Sequence, residues 1–325
     1  MKWSLLAMAA GFVIDLLAGD PRWIVHPVVL IGKFISLLEK MFRRIFPATR
    51  NGERLAGACL WAVCAGVSAA VPALIIWGCN AISPWLRLVV ESIMCWQILA
   101  VKSLKDESMK VYRALKSGSI EKARYAVSMI VGRDTARLDR EGITKAAVET
   151  VAENTSDAVI APLLCIAVGG AAFGFFYKAV NTMDSMLGYT DPPYDNIGLI
   201  PARADDVMNF IPSRISALML LAGGWILNLI RNAKIYDIKN GWRIFKRDRK
   251  NHASPNSGQT ESACAGLLRV QLAGDAWYHG VLHKKKFIGD PLRSIKPDDI
   301  PGTCRLMYAA SFIALAAGVV IKLIL

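Results

Sequence analysis

Long uncharged apolar runs alternate along this chain with polar, mostly basic stretches, and the runs have the length of membrane helices. Residues 5–18 are apolar apart from Asp15, and 55–82 carry no charge. Residues 86–101 are broken only by Arg87 and Glu91, and 158–180 stay uncharged until Lys178. Residues 215–230 are again uncharged, and 306–325 hold only Lys322. These windows predict five or six membrane helices. Between them, 102–157 reads as polar helix broken at Gly118 and at Gly132-Arg133-Asp134-Thr135, which predicts three short helices. Helices are expected at 242–251 and 261–274, and 181–212, rich in Asp, Asn, Gly and Pro, is expected to be an ordered loop. Strand alternation is nearly absent. The expected fold is all-α: a polytopic helical membrane protein, one membrane-embedded domain over 1–325, with cytoplasmic polar segments at 102–157 and 232–304.

Composition agrees. The chain has 325 residues, 54% of them hydrophobic, with a mean hydropathy of +0.36, too apolar for an ordinary soluble domain. The first run has a weak n-region, no convincing cleavage site and Asp15 in its apolar core, so it reads as retained rather than as a signal peptide. The net charge of +13 is uneven. Residues 32–54 hold six Lys and Arg, 102–157 eleven and 231–305 fifteen, whereas 178–212 hold two against five Asp. The positive-inside rule places the three basic stretches in the cytoplasm, where they meet anionic lipid or draw in anionic substrates. No nucleic-acid-binding module is visible. Of seven cysteines, Cys59, Cys64, Cys79, Cys95 and Cys165 lie in apolar runs and read as buried thiols. His26, His252, His279 and His283 show no metal-site spacing. Gly19-Asp20-Pro21-Arg22 and Gly289-Asp290-Pro291 echo each other as turns.

The candidate chemistry centres on 138–170. Glu149, Glu153 and Asp157 fall at i, i+4 and i+8, on one helix face beside Asn154. Like charges at this spacing repel, and the apolar run starts at Ala158. The cluster therefore suits a Mg²⁺ ion or a cationic substrate group at a membrane entrance; the alternative is a solvated face paired with Lys and Arg. Asn181 and Asp184 share a face at i, i+3 and can join a cation site, or simply precede a helix end closed by Gly188. Ser254-Pro-Asn-Ser-Gly-Gln-Thr-Glu261 follows four basic residues and precedes a helix, which fits phosphate binding by Ser257, Gly258 and Thr260, or an N-cap. It is not a Walker A loop. Arg133, Arg137 and Arg140 suit carboxylates or phosphates. Asp15, Asp20 and His26, together with Arg203, Asp205, Asp206, Asn209 and Arg214, add polar groups at membrane edges.

In order along the chain, GDP-x4-HP, SMIVGRDT, DREGITKAAVETVAENTSDAVIAPL, YKAVNTMDSMLGY, RADDVMNFIPSR and SPNSGQTESACAGLL resemble the adenosylcobinamide-phosphate synthase family. These are integral membrane enzymes of cobalamin biosynthesis, and the resemblance runs from about Gly11 to Pro301. It implies ATP- and Mg²⁺-dependent amide synthesis at the inner membrane, with the site facing the cytoplasm. Adenosylcobyric acid is joined to an amino alcohol, usually aminopropanol phosphate, to give adenosylcobinamide phosphate. Other late enzymes of the pathway are possible partners. For that chemistry Glu149, Glu153, Asp157 and Asp184 are the expected catalytic acids. Glu153, Asn154, Asp157, Asn181 and Asp184 are the expected Mg²⁺ ligands. Lys145, Arg133 and Arg203 would neutralise phosphate or carboxylate, and Ser257, Gly258 and Thr260 would cradle a phosphate. Asp15 and Asp20 are second-line contributors.

One conflict stands. Charge places 178–212 outside, yet a cytoplasmic reaction needs Asp184 and Arg203 beside the acidic helix. A re-entrant 158–178 or 213–231, or a loop folded back to membrane depth, resolves it. Two rival readings are an intramembrane Mg²⁺-dependent prenyltransferase, disfavoured by the lack of paired Asp-rich motifs, and a transporter, disfavoured by the lack of an inverted repeat.

Overall fold

Helices make up nearly all the regular structure, as the scarcity of strand alternation predicts. The computed structural model describes residues 2–21, 23–189, 191–278 and 280–324. Arg22 of the first GDP turn and His279 lie outside the described residues. Twelve helices are described: α1 Lys2–Ala18, α2 Pro27–Ile45, α3 Arg50–Ile82, α4 Pro84–Ile98, α5 Val101–Lys116, α6 Ile120–Ser128, α7 Arg140–Asn154, α8 Ala161–Leu187, α9 Leu199–Ile230, α10 Ile238–Asp248, α11 Ser257–Leu268 and α12 Asp299–Ile324. A π-helical turn, Thr155–Ile160, joins α7 to α8.

Five helical stretches are long and apolar enough to cross a membrane: Arg50–Ile82, Pro84–Lys116, Arg140–Leu187, Leu199–Ile230 and Asp299–Ile324. The protein is thus a multi-pass helical membrane protein. The sixth apolar run forms α1, whose 17 residues span about 25 Å, short of the roughly 30 Å hydrocarbon core.

The contacts divide the chain into two compact units. The first comprises residues 1–100, 162–209 and 315–325. Here α1 lies on α4 through Gly11, where a Cβ would sit 2.5 Å from Cys95 Cβ and 2.8 Å from the Trp96 nitrogen. We expect Gly11→Val to cost about 1–3 kcal/mol by forcing these helices apart. Thermal unfolding in detergent checks it, and an unchanged melting temperature would remove the close approach. Glu91 of α4 is buried, accepts the Ser4 hydroxyl at 2.7 Å and pairs with Arg87 at 3.1 Å. Gly170, at φ 67°, breaks α8 opposite it, so the apolar run 158–180 is not one continuous rod. His26 caps α2, its Nδ1 accepting the Val28 N–H, with Nε2 3.7 Å from Asp20.

The expected loop at 181–212 is mostly helix: α8 runs on to Leu187 and α9 starts at Leu199. Its polar residues satisfy one another instead of forming turns. Asp205 accepts from Asn181 at 3.3 Å and from Asn209 at 3.0 Å, and Asn209 accepts the Tyr177 hydroxyl at 2.7 Å.

The second unit comprises residues 101–161 and 210–314. Helices α5, α6 and α7 occupy 101–154. In α7, Asp139 accepts the Gly142 N–H at 2.7 Å as N-cap, and Glu141 sits in the first turn, both favourable to the dipole. Thr150, Asn154 and Thr155 then bond back to carbonyls one turn earlier. Such bonds compete with the regular ladder, and the π turn follows directly. Helices α10 and α11 meet at glycines: a Cβ on Gly266 would lie 2.7 Å from Gly241 Cα. The expected helices at 242–251 and 261–274 are in fact Ile238–Asp248 and Ser257–Leu268. The second ends at Arg269, in the left-handed conformation at φ 61°. Beyond it lie two short ribbons absent from the sequence reading. β1 (Leu272–Ala273) pairs with β4 (Phe287–Ile288), and β2 (Ala276–Tyr278) with β3 (Val281–His283). Strands of two or three residues are too short to show alternation. All seven cysteines are free, and Cys59 and Cys79 are only half-buried.

Candidate active site

Helix α7 packs against α11 within the second unit, and the acids of both helices meet a cavity of about 140 Å³. Glu149, Glu153 and Glu261 line it together with Arg133, His252 and Lys285. Each acid has a different environment. Glu149 pairs with Arg133 at 3.0 Å and accepts the Ala273 N–H at 2.6 Å. Ala273 holds φ 57° there, so the ribbon backbone is bent to reach the carboxylate. Glu153 accepts the Ser257 hydroxyl at 2.7 Å, at the first turn of α11. Glu261, one turn beyond Ser257 on α11, is 3% exposed, and its Oε2 meets no hydrogen-bond partner among the described residues. Burial holds the Glu261 carboxyl well above the usual carboxylate range, and the neighbouring Glu149 and Glu153 push it the same way.

The cations are equally placed. Lys285 donates to the Tyr278 hydroxyl at 2.7 Å and lies 4.6 Å from that ring. The Gly132–Thr135 turn is pinned to the hairpin: Asp134 N–H donates to Trp277 O at 2.9 Å and its carboxylate accepts the Gly280 N–H at 2.8 Å. Arg137 lies 5.1 Å from the Trp277 ring. These two residues and Arg133 line an adjoining cavity of about 660 Å³. His252 Nδ1 accepts the Ser254 N–H at 3.1 Å, so a neutral His252 carries its proton on Nε2. Burial lowers its pKa, against the pull of Glu153.

A family profile described as CobD/Cbib protein matches residues 8–307, which include every residue of this cavity. The chain belongs to the CobD/Cbib family. Its similarity to curated members runs almost end to end. It is 41% identical over 321 residues to the cobalamin biosynthesis protein CobD of Clostridium perfringens, covering 99% of both chains. It is 44% identical over 304 residues to that of Pelobacter propionicus, covering 94% of this chain and 91% of the relative. For that of Geobacter metallireducens the identity is 43% over 313 residues, covering 96% and 95%. No solved structure matches.

Of the residues nominated from sequence, Arg133, Glu149, Glu153 and Asn154 line the cavity of this CobD/Cbib protein. Lys145 stands one turn earlier on α7, its Nζ 5.1 Å from the Phe287 ring. Ser257 is tied to Glu153. Thr260 is fully buried and donates to Ser257 O at 3.3 Å, and Gly258 packs against Arg249 O and His252. Asp157 lies on the π turn and is not among the lining residues; the wider turn takes it off the straight line through Glu149 and Glu153. Asn181, Asp184 and Arg203 belong to the first unit. There Asn181 serves the Asp205 network, Asp184 O accepts the Gly188 N–H at 2.7 Å, and Arg203 is exposed. Among the described residues, no group of three or more His, Cys, Asp or Glu forms a ready-made metal cage. The sequence reading left Glu261, His252, Tyr278 and Lys285 out of the site. Glu261 closes the Ser254–Glu261 motif, which was the one available signal; Lys285 sits in an unremarkable run of three lysines.

Proposed function

We propose that this protein carries out amide synthesis in cobalamin biosynthesis, joining adenosylcobyric acid to an amino alcohol phosphate at the expense of ATP. The CobD/Cbib family and the names of its relatives support the pathway. The observation that carries the reaction is the single cavity lined by three carboxylates, two cations and His252.

In this reading the corrinoid carboxylate attacks the γ-phosphorus of ATP, ADP leaves, and an acyl phosphate forms. The amine nitrogen then attacks the carbonyl carbon, inorganic phosphate leaves, and the nitrogen gives up a proton. Arg133 and Lys285 neutralise charge on phosphate oxygens. Glu261, which burial makes a stronger base than an ordinary carboxylate, takes the amine proton. Glu149 holds the Arg133 fork in place. The oxygen donors of Glu153 and Asn154 fit a hard cation held by few protein ligands plus phosphate and water, as Mg²⁺ prefers. Bound there, Mg²⁺ would supply charge neutralisation on the phosphates. Cytoplasmic loops facing this cavity in the inner membrane agree with the basic charge of both polar segments.

The test is an assay on purified protein with adenosylcobyric acid, aminopropanol phosphate, ATP and Mg²⁺, each omitted in turn, with mass detection of the corrinoid. Product that requires all four is the expected result. Corrinoid turnover without ATP consumption would sink the reading. In the same assay, alanine at Glu153 or Lys285, both of which line the cavity, is expected to abolish turnover and leave the protein in the membrane. Wild-type turnover in either variant removes that residue from the mechanism.

A further inference from the structure

His252 also lines a second cavity, of about 580 Å³, whose walls include Arg214, Arg249, Lys250 and Gln259. Among the described residues none of the three cations there makes a salt bridge, unlike Arg243 and Arg247 nearby, which share Asp290. They are nonetheless positioned. Arg214 donates to Asn256 Oδ1 at 3.3 Å and stacks 3.6 Å from the Phe210 ring centre, and Asn256 is itself held by the Ser213 hydroxyl at 3.2 Å. Arg249 lies over the Phe245 ring at 5.6 Å. Three cations around one cavity without an acid call for an anion of more than one charge, and arginine forks match phosphate oxygens.

Gln259 adds a second requirement. It is 2% exposed, and its Nε2 donates to Pro255 O at 3.0 Å, which fixes the amide orientation. Its Oε1 is buried and has no partner among the described residues. A buried amide oxygen left without a donor costs free energy, so the natural occupant brings an N–H or O–H to it.

We propose that this cavity binds a phosphate monoester that also carries a hydrogen-bond donor, with Arg214, Arg249 and Lys250 on the phosphate and Gln259 accepting from the donor group. On the amide-synthase reading, on which only this last step rests, the ligand is the phosphorylated amine donor. His252, common to both cavities, then lies between its phosphate and the carboxylates. The headgroup of an ethanolamine phospholipid offers the same ammonium donor from the membrane, but beside a phosphodiester of only one charge.

Calorimetric titration of the full chain in phosphatidylcholine nanodiscs tests this, with phosphoethanolamine, ethanolamine and inorganic phosphate as probes. Phosphoethanolamine is expected to bind at least about tenfold more tightly than ethanolamine. Arg249→Gln with Lys250→Gln should weaken it about tenfold or more while keeping the parent's melting temperature. Gln259→Leu should remove the preference for phosphoethanolamine over inorganic phosphate. Nanodiscs containing phosphatidylethanolamine separate the sources: undiminished binding assigns a soluble ester, and competition assigns the headgroup diester and overturns the monoester assignment. Absent binding, or equal affinity in the parent and the Arg249/Lys250 variant, overturns the proposal. Because these titrations need neither ATP nor corrinoid, they stand even if amide synthesis fails.

Discussion

Glu261→Gln is expected to lose amide synthesis by about 10²–10⁴-fold and yet to melt higher than the parent at neutral and alkaline pH. The two halves of this result have one cause. Glu261 is almost fully buried with one oxygen unpartnered, beside Glu149 and Glu153. An acid whose folded pKa is raised binds more protons folded than unfolded. The stability linked to it is therefore greatest below the ordinary carboxylate range and is lost as pH rises toward the raised value. Glutamine keeps the shape and never ionises, so its melting temperature should vary less between about pH 5 and pH 8. A purely structural Glu261 would give the stability change without the loss of turnover. Thermal unfolding across pH and the four-component assay measure the two halves separately. Full activity in the glutamine variant would remove Glu261 from the chemistry, and a pH profile identical to the parent's would show that folding does not raise the pKa of its carboxyl.

Arg133→Met carries the largest expected loss of stability. The Arg133 and Glu149 side chains are 14% and 12% exposed and meet at 3.0 Å. Removing one partner of so dry a pair leaves an uncompensated charge and costs about 3–5 kcal/mol. Here the cost is compounded, because Glu149 would then face Glu153 and Glu261 with the Ala273 N–H, Lys145 and Lys285 to oppose them but no ion-pair partner in contact. The expected drop in melting temperature in detergent is on the order of 10 °C. Adding Glu149→Gln should return most of that stability, since the charge left behind is gone, but not the activity. A single variant that melts with the parent, or a double variant no better than the single one, would show that the pair does not hold this cavity together.

Glu149 and Glu153 were legible together in the sequence because one helix carries both. Glu149 and Glu153 fall one turn apart, and local helical geometry alone puts them on a common face, where they are found. Asp157 was expected to continue that line by the same rule. It departs because Thr150, Asn154 and Thr155 bond back to the preceding turn and a π turn follows. The loop expected at 181–212 departs for a related reason. Its Asn and Asp residues have turn-forming composition, but Asn181, Asp205 and Asn209 bond to one another and leave the helices intact.

The chain by itself determined the class and the family: runs of apolar residues long enough to cross a bilayer, basic segments between them, and motifs spread over nearly its whole length. Those properties are local, and each is written in consecutive residues. Only the tertiary structure decided which groups share a cavity. Glu261 and Lys285 reach Glu149 across more than a hundred residues, through the packing of α7 on α11 and a ribbon bent at Ala273. Burial then makes one carboxylate of three unlike the others. Desolvation is a property of the folded surroundings, so no spacing of acids along the chain can specify it.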